Sequence, residues 1–299
     1  MKTETLGGGD LFRRLAPISF VVLWSTGFIV ARFSAPYADP LTFLLARYGL
    51  AIAVLAAFAL WIGAAWPQSR AQWGHALFSG VLIHAAYLGA VWWAVRQGVP
   101  ASIAALLSAI QPILTPVLAP MLIGERIGRL QWLGVVLGFV GLVMVLAPNI
   151  AGLDAAHLAG IGWPLAVNAL GVLALTAGAF YQKRYVHSGD LRTVTVVQYI
   201  GAFVVTVPLA YALEPMRITW NLTTVSSLLW SVFALSVVSV ALLLMLIRRG
   251  EVSRAAQLIY LVPPTSALQA WAFFGEGFTL FQLAGMLVTV FGVALASRK

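Results

Sequence analysis

The side chains that could do chemistry in this sequence are few, and most of them stand singly inside long apolar stretches. His84 lies near the middle of one such stretch, with Tyr87 one helical turn further on. The four histidines are scattered and cysteine is absent, so the sequence offers neither a His-rich metal motif nor an activated thiol. We therefore expect no enzyme activity, no catalytic residue, no metal and no cofactor.

Prolines interrupt two of these stretches near their middles. Pro112 follows Gln111 in one stretch, and Pro263 and Pro264 are adjacent in another. Proline removes one backbone hydrogen bond and clashes with the preceding turn, so the freed carbonyls need other partners. Pairs of interrupted helices are typical of solute sites in transporters, and simple kinking for packing is the alternative. We predict helix breaks or gates at these three prolines.

Aromatic and amide side chains accompany these breaks. Indole, phenol, imidazole and amide groups without a carboxylate suit flat, partly apolar solutes. The seven side chains that we predict to contact a solute are Trp24, His84, Tyr87, Gln111, Trp163, Asn168 and Tyr260. A structural hydrogen bond is the alternative for His84, whereas tryptophans such as Trp92 suit anchors at the membrane surface.

One charged residue, Arg47, lies well inside an apolar stretch. It stands about seven residues from the start, roughly 10 Å along a helix, so its side chain can reach the membrane surface or a loop carbonyl. We favour that interpretation over contact with a solute. Five acidic residues fall instead at loops or ends of stretches, namely Asp39, Glu125, Asp190, Glu251 and Glu276. No carboxylate is therefore expected as a proton carrier in the middle of the membrane.

The composition requires a membrane environment. Hydrophobic residues make up 61% of the 299 residues and charged residues only 9%, against roughly 25% charged residues in a soluble domain. The formal net charge is +9, but the basic residues separate the apolar stretches instead of forming one face, which argues against a nucleic-acid partner. The sequence thus predicts an all-α polytopic protein in a lipid bilayer.

Apolar stretches long enough to span a bilayer contain about 20 residues. The ten candidates are 15–34, 41–62, 73–95, 99–121, 130–147, 161–182, 193–213, 225–247, 253–274 and 279–296. Cytoplasmic loops retain Lys and Arg, and with the N-terminus inside only Arg32, Arg96 and Arg217 fall outside. Both termini are therefore expected in the cytoplasm.

The sequence matches itself at a constant offset of 151, which pairs Ser102 with Ser253. Further identical pairs at this offset are Asp39 and Asp190, Tyr48 and Tyr199, Pro112 and Pro263, Gly134 and Gly285, and Gly141 and Gly292. A single ungapped register indicates duplication. Because each half holds an odd number of spans, the second half enters the membrane in the opposite orientation. We predict two inverted five-helix repeats, 1–150 and 151–299.

Several segments resemble a known family. Leu23-Trp24-Ser25-Thr26-Gly27-Phe28, and Asp39-Pro40-Leu41-Thr42-Phe43 leading to Ala46-Arg47-Tyr48, resemble the opening of EamA-type members of the drug/metabolite transporter superfamily. Pro112 to Gly124-Glu125 and Pro263 to Gly275-Glu276 resemble the end of each EamA repeat. The resemblance implies ten helices and a central cavity lined by the first, third, fourth, sixth, eighth and ninth spans. Within the superfamily, the chain looks most like the exporters of aromatic amino acids and methyl viologen.

We therefore expect a transporter of the bacterial inner membrane that exports amino acids, aromatic and other apolar ones preferred, by alternating access. Export of cationic drugs or other metabolites and proton-coupled antiport are the alternatives. Facilitated diffusion is favoured because His84 is the one residue near the middle of a span that could titrate near neutral pH. A membrane-embedded enzyme or a signalling module fits less well, since no catalytic constellation is present.

The expected partners are a small-molecule substrate and the lipid bilayer. Glycines recur in the fifth and tenth spans, among them Gly134, Gly138 and Gly285, and small residues let helix backbones approach closely. We expect them to pack helices within a monomer. A homodimer through the same faces is the alternative.

Overall fold

The described part of the chain is helical, with one isolated β-bridge between Ala38 and Ile218. The structure, a computed structural model, describes residues 8–108, 110–111, 114–115, 118, 128–151, 155–186, 189–242, 246, 258, 261–275 and 279–296. The helices are α1 (Gly8–Ser34), α2 (Pro40–Trp61), α3 (Arg70–Gly80), α4 (Tyr87–Arg96), α5 (Ala101–Ser108), α6 (Arg129–Ala151), α7 (Ala155–Tyr185), α8 (Leu191–Leu213), α9 (Leu222–Trp230), α10 (Val262–Phe274) and α11 (Leu280–Ala296). Two π-helical segments, Val81–Ala86 and Ser231–Ser239, join α3 to α4 and extend α9.

Among the described residues, six helices are long and apolar enough to cross a membrane. They are Leu15–Ser34, Pro40–Trp61, Arg70–Arg96, Gly160–Tyr185, Leu191–Leu213 and Leu222–Leu242. Shorter apolar helices cover Arg129–Val145 and Leu280–Ala296. The predicted spans 99–121 and 253–274 fall partly outside the described residues, so α5 and α10 are the parts of them that can be seen. An all-helical, multi-pass protein is confirmed, whereas the count of ten stays a prediction.

Short polar side chains set where several helices begin and end. Ser69 Oγ accepts a hydrogen bond from Gln72 N at 3.2 Å while Gln72 Oε1 accepts one from Ser69 N, which closes a capping box at the start of α3. Asn221 Oδ1 accepts from Thr224 N at 2.9 Å at the start of α9. Gly275 ends α10 with a φ of 70°, which glycine adopts without strain.

The start of α2 is capped by a side chain from the far half of the chain. Asp39 has an extended N-cap conformation, but its carboxylate accepts from Arg217 N at 2.8 Å instead of from α2. The Glu214 carboxylate takes its place and accepts from Leu41 N at 2.8 Å and Thr42 N at 2.9 Å. A carboxylate satisfies these free N–H groups and is also favoured by the helix dipole. This contact, here called the Glu214 clasp, ties the end of α8 to the start of α2.

Helices separated by the repeat offset pack against each other, α2 with α8 and α6 with α11. In the first pair, the rings of Tyr48 and Tyr199 lie 5.8 Å apart. In the second pair, a Cβ added to Gly134 or Gly285 would overlap the backbone of the facing helix. These glycines therefore pack helices within the chain, as the sequence analysis expects.

Replacing Gly134 with alanine is expected to lower the thermal unfolding midpoint in detergent, because the added methyl meets the backbone of α11. Overpacking of this kind costs about 1–3 kcal/mol. The matched control is Gly162→Ala in α7, where an added Cβ has nothing within 4 Å. That variant should unfold at the midpoint of the unmodified chain or slightly above it, since alanine favours a helix over glycine, and equal midpoints for the two variants would contradict the packing described here.

Candidate functional site

A cavity lies among helices from both predicted halves of the chain. Its wall is mainly apolar and aromatic. The residues that line it are Trp24, Gly27, Phe28, Arg47, Ile83, His84, Tyr87, Leu88, Val91, Trp92, Leu175, Tyr199, Leu235 and Val240. Three of the seven side chains predicted to contact a solute, Trp24, His84 and Tyr87, are thus brought together.

One wall forms where the third span leaves α-helical geometry. In the segment Val81–Ala86 the hydrogen bonds follow the wider π pattern, so the carbonyls no longer meet their usual donors. Tyr48 Oη donates to the carbonyl of His84 at 2.9 Å. An inserted π turn rotates the residues after it relative to those before it. His84 lies within this segment and Tyr87 directly follows it, and both line the cavity.

Two tyrosines hold His84 in place. Its imidazole stacks on the ring of Tyr199, with ring centroids 4.4 Å apart and an angle of 21° between the planes. Tyr199 and Tyr48 are both buried and lie side by side. His84 is therefore contacted through its ring by one tyrosine and through its carbonyl by the other.

The side chain of Arg47 also lies in the cavity wall. It is 5% exposed, and both Nε and Nη2 donate to Ser236 Oγ at 3.3 Å. The expectation that Arg47 reaches outward to the membrane surface is wrong. The first turns of α2, from Pro40 to Leu45, are buried against neighbouring helices and closed by the Glu214 clasp, so the outward route is occupied.

Hydroxyl groups join the remaining spans around the cavity. Tyr87 Oη donates to Ser108 Oγ at 3.0 Å, which connects the third span to α5. Ser266 Oγ donates to the carbonyl of Ser25 at 3.2 Å. Ser25 Oγ donates to the carbonyl of Val21 in its own helix at 2.6 Å and also lies 3.3 Å from the carbonyl of Val262. These contacts join α1 to α10 beside Trp24. Hydroxyl bonds of this kind are a usual link between membrane helices.

The prolines of the ninth span stand at a helix start. Val262–Phe274 begins with Pro263 and Pro264 in its first turn, where the missing N–H costs no helical hydrogen bond. The side chain of Pro264 is buried. Pro112 and Tyr260 lie outside the described residues, and their roles stay predictions.

Gln111 and Asn168 carry buried amides that lack hydrogen-bond partners among the described residues. The unpaired atoms are Gln111 Oε1 and both the Nδ2 and Oδ1 atoms of Asn168, whose side chain is fully buried. Burying an unpaired amide costs about 1–3 kcal/mol. Neither residue lines the described cavity wall, so the structure does not join them to His84 and Trp24.

Two tryptophans lie elsewhere than the sequence analysis expects. Trp163 is 69% exposed and lies away from the cavity, on the outer surface of α7, where an indole suits the membrane interface. Trp92 has the opposite placement. It is 4% exposed, lines the cavity and stacks on Phe43 with ring centroids 4.9 Å apart. Whether a tryptophan lines the cavity or lies at the membrane interface depends on the helices around it, and its residue type does not reveal this.

The second and seventh spans contribute cavity residues that the sequence analysis missed, Arg47 and Tyr199. Two signals were present. A charge inside a membrane span is by default a functional residue, and Tyr199 is the repeat partner of Tyr48. Both signals required the knowledge that α2 and α8 lie inside the bundle, facing each other.

Known proteins resemble this chain over nearly its whole length. The sequence model of the EamA-like transporter family matches residues 15–147 and again 162–298. A probable amino-acid metabolite efflux pump of Salmonella typhimurium is 26% identical over 282 residues, covering 91% of this chain and 90% of its own length. A protein of the same description from Escherichia coli is 24% identical with the same coverage. A crystal structure of a protein with 18% identity superposes with a TM-score of 0.75, covering 94% of this chain and 96% of the other, which shows a shared fold.

Replacing Tyr48 with phenylalanine is expected to destabilise the protein, because the carbonyl of His84 loses its hydroxyl donor. The backbone N–H of Tyr87 still bonds to this carbonyl, so the variant loses one hydrogen bond, about 0.5–1.5 kcal/mol, and the thermal midpoint in detergent should fall. The control is Tyr211→Phe in the same kind of helix, since Tyr211 is 72% exposed. A Tyr48→Phe variant as stable as the Tyr211→Phe variant would show that the π segment does not depend on this bond.

Proposed function

The chain belongs to the EamA-like transporter family and is a multi-pass membrane transporter of a small molecule, and on this premise we propose that it exports amino acids, with aromatic and other apolar ones preferred. Export proceeds across the bacterial inner membrane, by alternating access through the cavity around His84. The observation that carries the proposal is the cavity wall itself, where aromatic rings from three spans surround the space.

The chemistry of the wall suits an aromatic or apolar side chain. Trp24, Tyr87, Trp92 and Tyr199 offer ring faces and edges, and aromatic pairs gain about 0.5–1.5 kcal/mol beyond the area they bury. Leucine and valine side chains complete the surface. The names of the bacterial relatives, which describe amino-acid metabolite efflux pumps, support this class of substrate.

Alternating access requires one gate on each side of a single site. We propose that the two halves, 1–150 and 151–299, are inverted repeats and that each provides one of these gates. The double match of one family model supports this division. So does the packing of α2 on α8 and of α6 on α11, at the repeat offset. The π segments also stand at related positions, since Val81–Ala86 shifted by 151 falls within Ser231–Ser239.

The Glu214 clasp supports a gate on the side that we assign to the exterior. Besides the capping bonds, Asp39 N donates to the carbonyl of Arg217 at 2.9 Å and Thr219 N donates to the carbonyl of Tyr37 at 2.7 Å. Short-range bonds between two loop segments can break and reform without unfolding a helix. Pro263 and Pro264 at the start of α10, together with Pro112, are our candidates for the opposite movement.

Purified protein in liposomes tests the function. Vesicles loaded with labelled phenylalanine, tryptophan, leucine or aspartate should lose the first three faster than protein-free vesicles, with aspartate retained. Absence of protein-dependent flux for all twenty amino acids would reject the proposal. Flux that stops when the proton gradient is collapsed at a fixed substrate gradient would establish proton-coupled antiport in place of facilitated diffusion.

A matched pair of tryptophans tests the site. Trp24→Ala removes a wall of the cavity and should reduce phenylalanine flux by about tenfold or more, from the loss of roughly 1.4 kcal/mol or more of contact energy. Trp163→Ala removes an equally large side chain from the outer surface of α7 and should leave flux unchanged. Equal loss of flux in the two variants, at equal amounts of folded protein, would place the substrate elsewhere.

A further inference from the structure

The guanidinium of Arg47 is a buried cation in the cavity wall. An arginine keeps its positive charge under physiological conditions, and a charge within the membrane is costly unless it meets a partner. Its partner within the described part of the chain is a neutral hydroxyl, Ser236 Oγ, at 3.3 Å from both Nε and Nη2. One shared hydroxyl cannot satisfy a group with five N–H donors.

Each acidic side chain that the structure describes has a partner other than Arg47. Asp39 accepts from Arg217 N, Asp190 pairs with Arg192, and Glu214 caps α2. The cavity wall contains Arg47 and no carboxylate among its described residues. Its electrostatic character is therefore that of a site for one negative charge, surrounded by aromatic rings.

The residue at the repeat-related position shows whether helix packing alone requires a charge at position 47. The repeat partner of Arg47 is Gln198, at the offset of 151. Gln198 Nε2 donates to Ser79 Oγ at 3.0 Å and to Gln182 Oε1 at 3.2 Å. A neutral amide thus suffices to link neighbouring helices at that position of the fold. The positive charge at position 47 is an addition that helix packing does not explain.

We propose that Arg47 binds the carboxylate of the substrate, and that the transported class is aromatic and apolar monocarboxylates, for which an α-amino group is not required. This rests on the proposed export function and narrows its substrate. Arginine binds carboxylates through two parallel N–H···O bonds, and the stacked His84 and Tyr199 rings offer a flat surface beside it. Among the described residues of the wall none is anionic and available for an ammonium group, so amino acids are one member of a wider class.

Three probes with the same ring test the proposal in liposomes: phenylalanine, 3-phenylpropionate, which lacks the amino group, and phenylalaninamide, which lacks the carboxylate. The unmodified protein should transport the first two, and transport of phenylalaninamide should be at least about thirtyfold slower, the effect of losing one partner of a buried charge pair. Comparable transport of phenylalaninamide and phenylalanine would overturn the role of Arg47 while leaving amino-acid export intact.

Substitutions of Arg47 provide a second test of the proposal. Arg47→Gln installs the residue found at the repeat position and should slow both carboxylates by about thirtyfold or more, with phenylalaninamide unaffected. Arg47→Lys keeps the charge without the two-pronged geometry and should retain the preference for carboxylates at reduced rate. A structural role for Arg47 predicts equal losses for all three probes, and that result would also overturn the proposal.

A binding measurement keeps the proposal testable if no probe is transported. The thermal midpoint of the unmodified protein in detergent should rise with increasing 3-phenylpropionate and stay constant with phenylalaninamide. In Arg47→Gln the two compounds should have equal effects. A midpoint that does not respond to 3-phenylpropionate in the unmodified protein would reject carboxylate binding, whereas a response without any flux would reject the export function alone.

Discussion

The absence of water from the middle of a bilayer is the constraint on which this structure depends. Each backbone N–H and carbonyl at that depth must find a partner inside the protein, so a helix can leave α geometry only where another group takes over. In the third span the carbonyl of His84, within the π segment, accepts from the backbone N–H of Tyr87 and also from the hydroxyl of Tyr48. α2 supplies that hydroxyl, and α2 packs on α8 and is capped by the Glu214 clasp.

The pairing of α2 with α8 also explains why the two sides of the cavity differ. Tyr48 and Tyr199 are identical residues at repeat-related positions, and both are buried in the centre. Arg47 and Gln198, one position before them, are not identical, and only Arg47 contributes a charge. On the two-repeat division that we propose, the related positions 47 and 198 thus differ in charge, and the charge at position 47 supplies the selectivity we propose.

Much of the framework could be predicted from the sequence, because membrane spans must be apolar along their whole length. The spans beginning at Pro40 and Leu191 appear within two residues of their predicted starts, and the glycines near Gly134 pack two helices as expected. The site was harder to predict. The residue types of Val81–Ala86 do not distinguish a π segment from an ordinary α-helix, since the distortion depends on how neighbouring helices pack. Whether the side chains of Arg47, Trp92 and Trp163 lie inside or outside the bundle depends on which faces of their helices are covered by other helices. Residue type alone does not contain that information.

Access to the cavity from both sides of the membrane is the central claim, and the natural lack of cysteine allows a direct measurement. A single cysteine at Leu88, in the cavity wall, can be tested with a membrane-impermeant thiol reagent added from either face of oriented vesicles. Alternating access predicts labelling from both faces, and phenylalanine should slow the labelling from each face. Labelling from one face only, or labelling that phenylalanine does not slow, would contradict alternating access through this cavity.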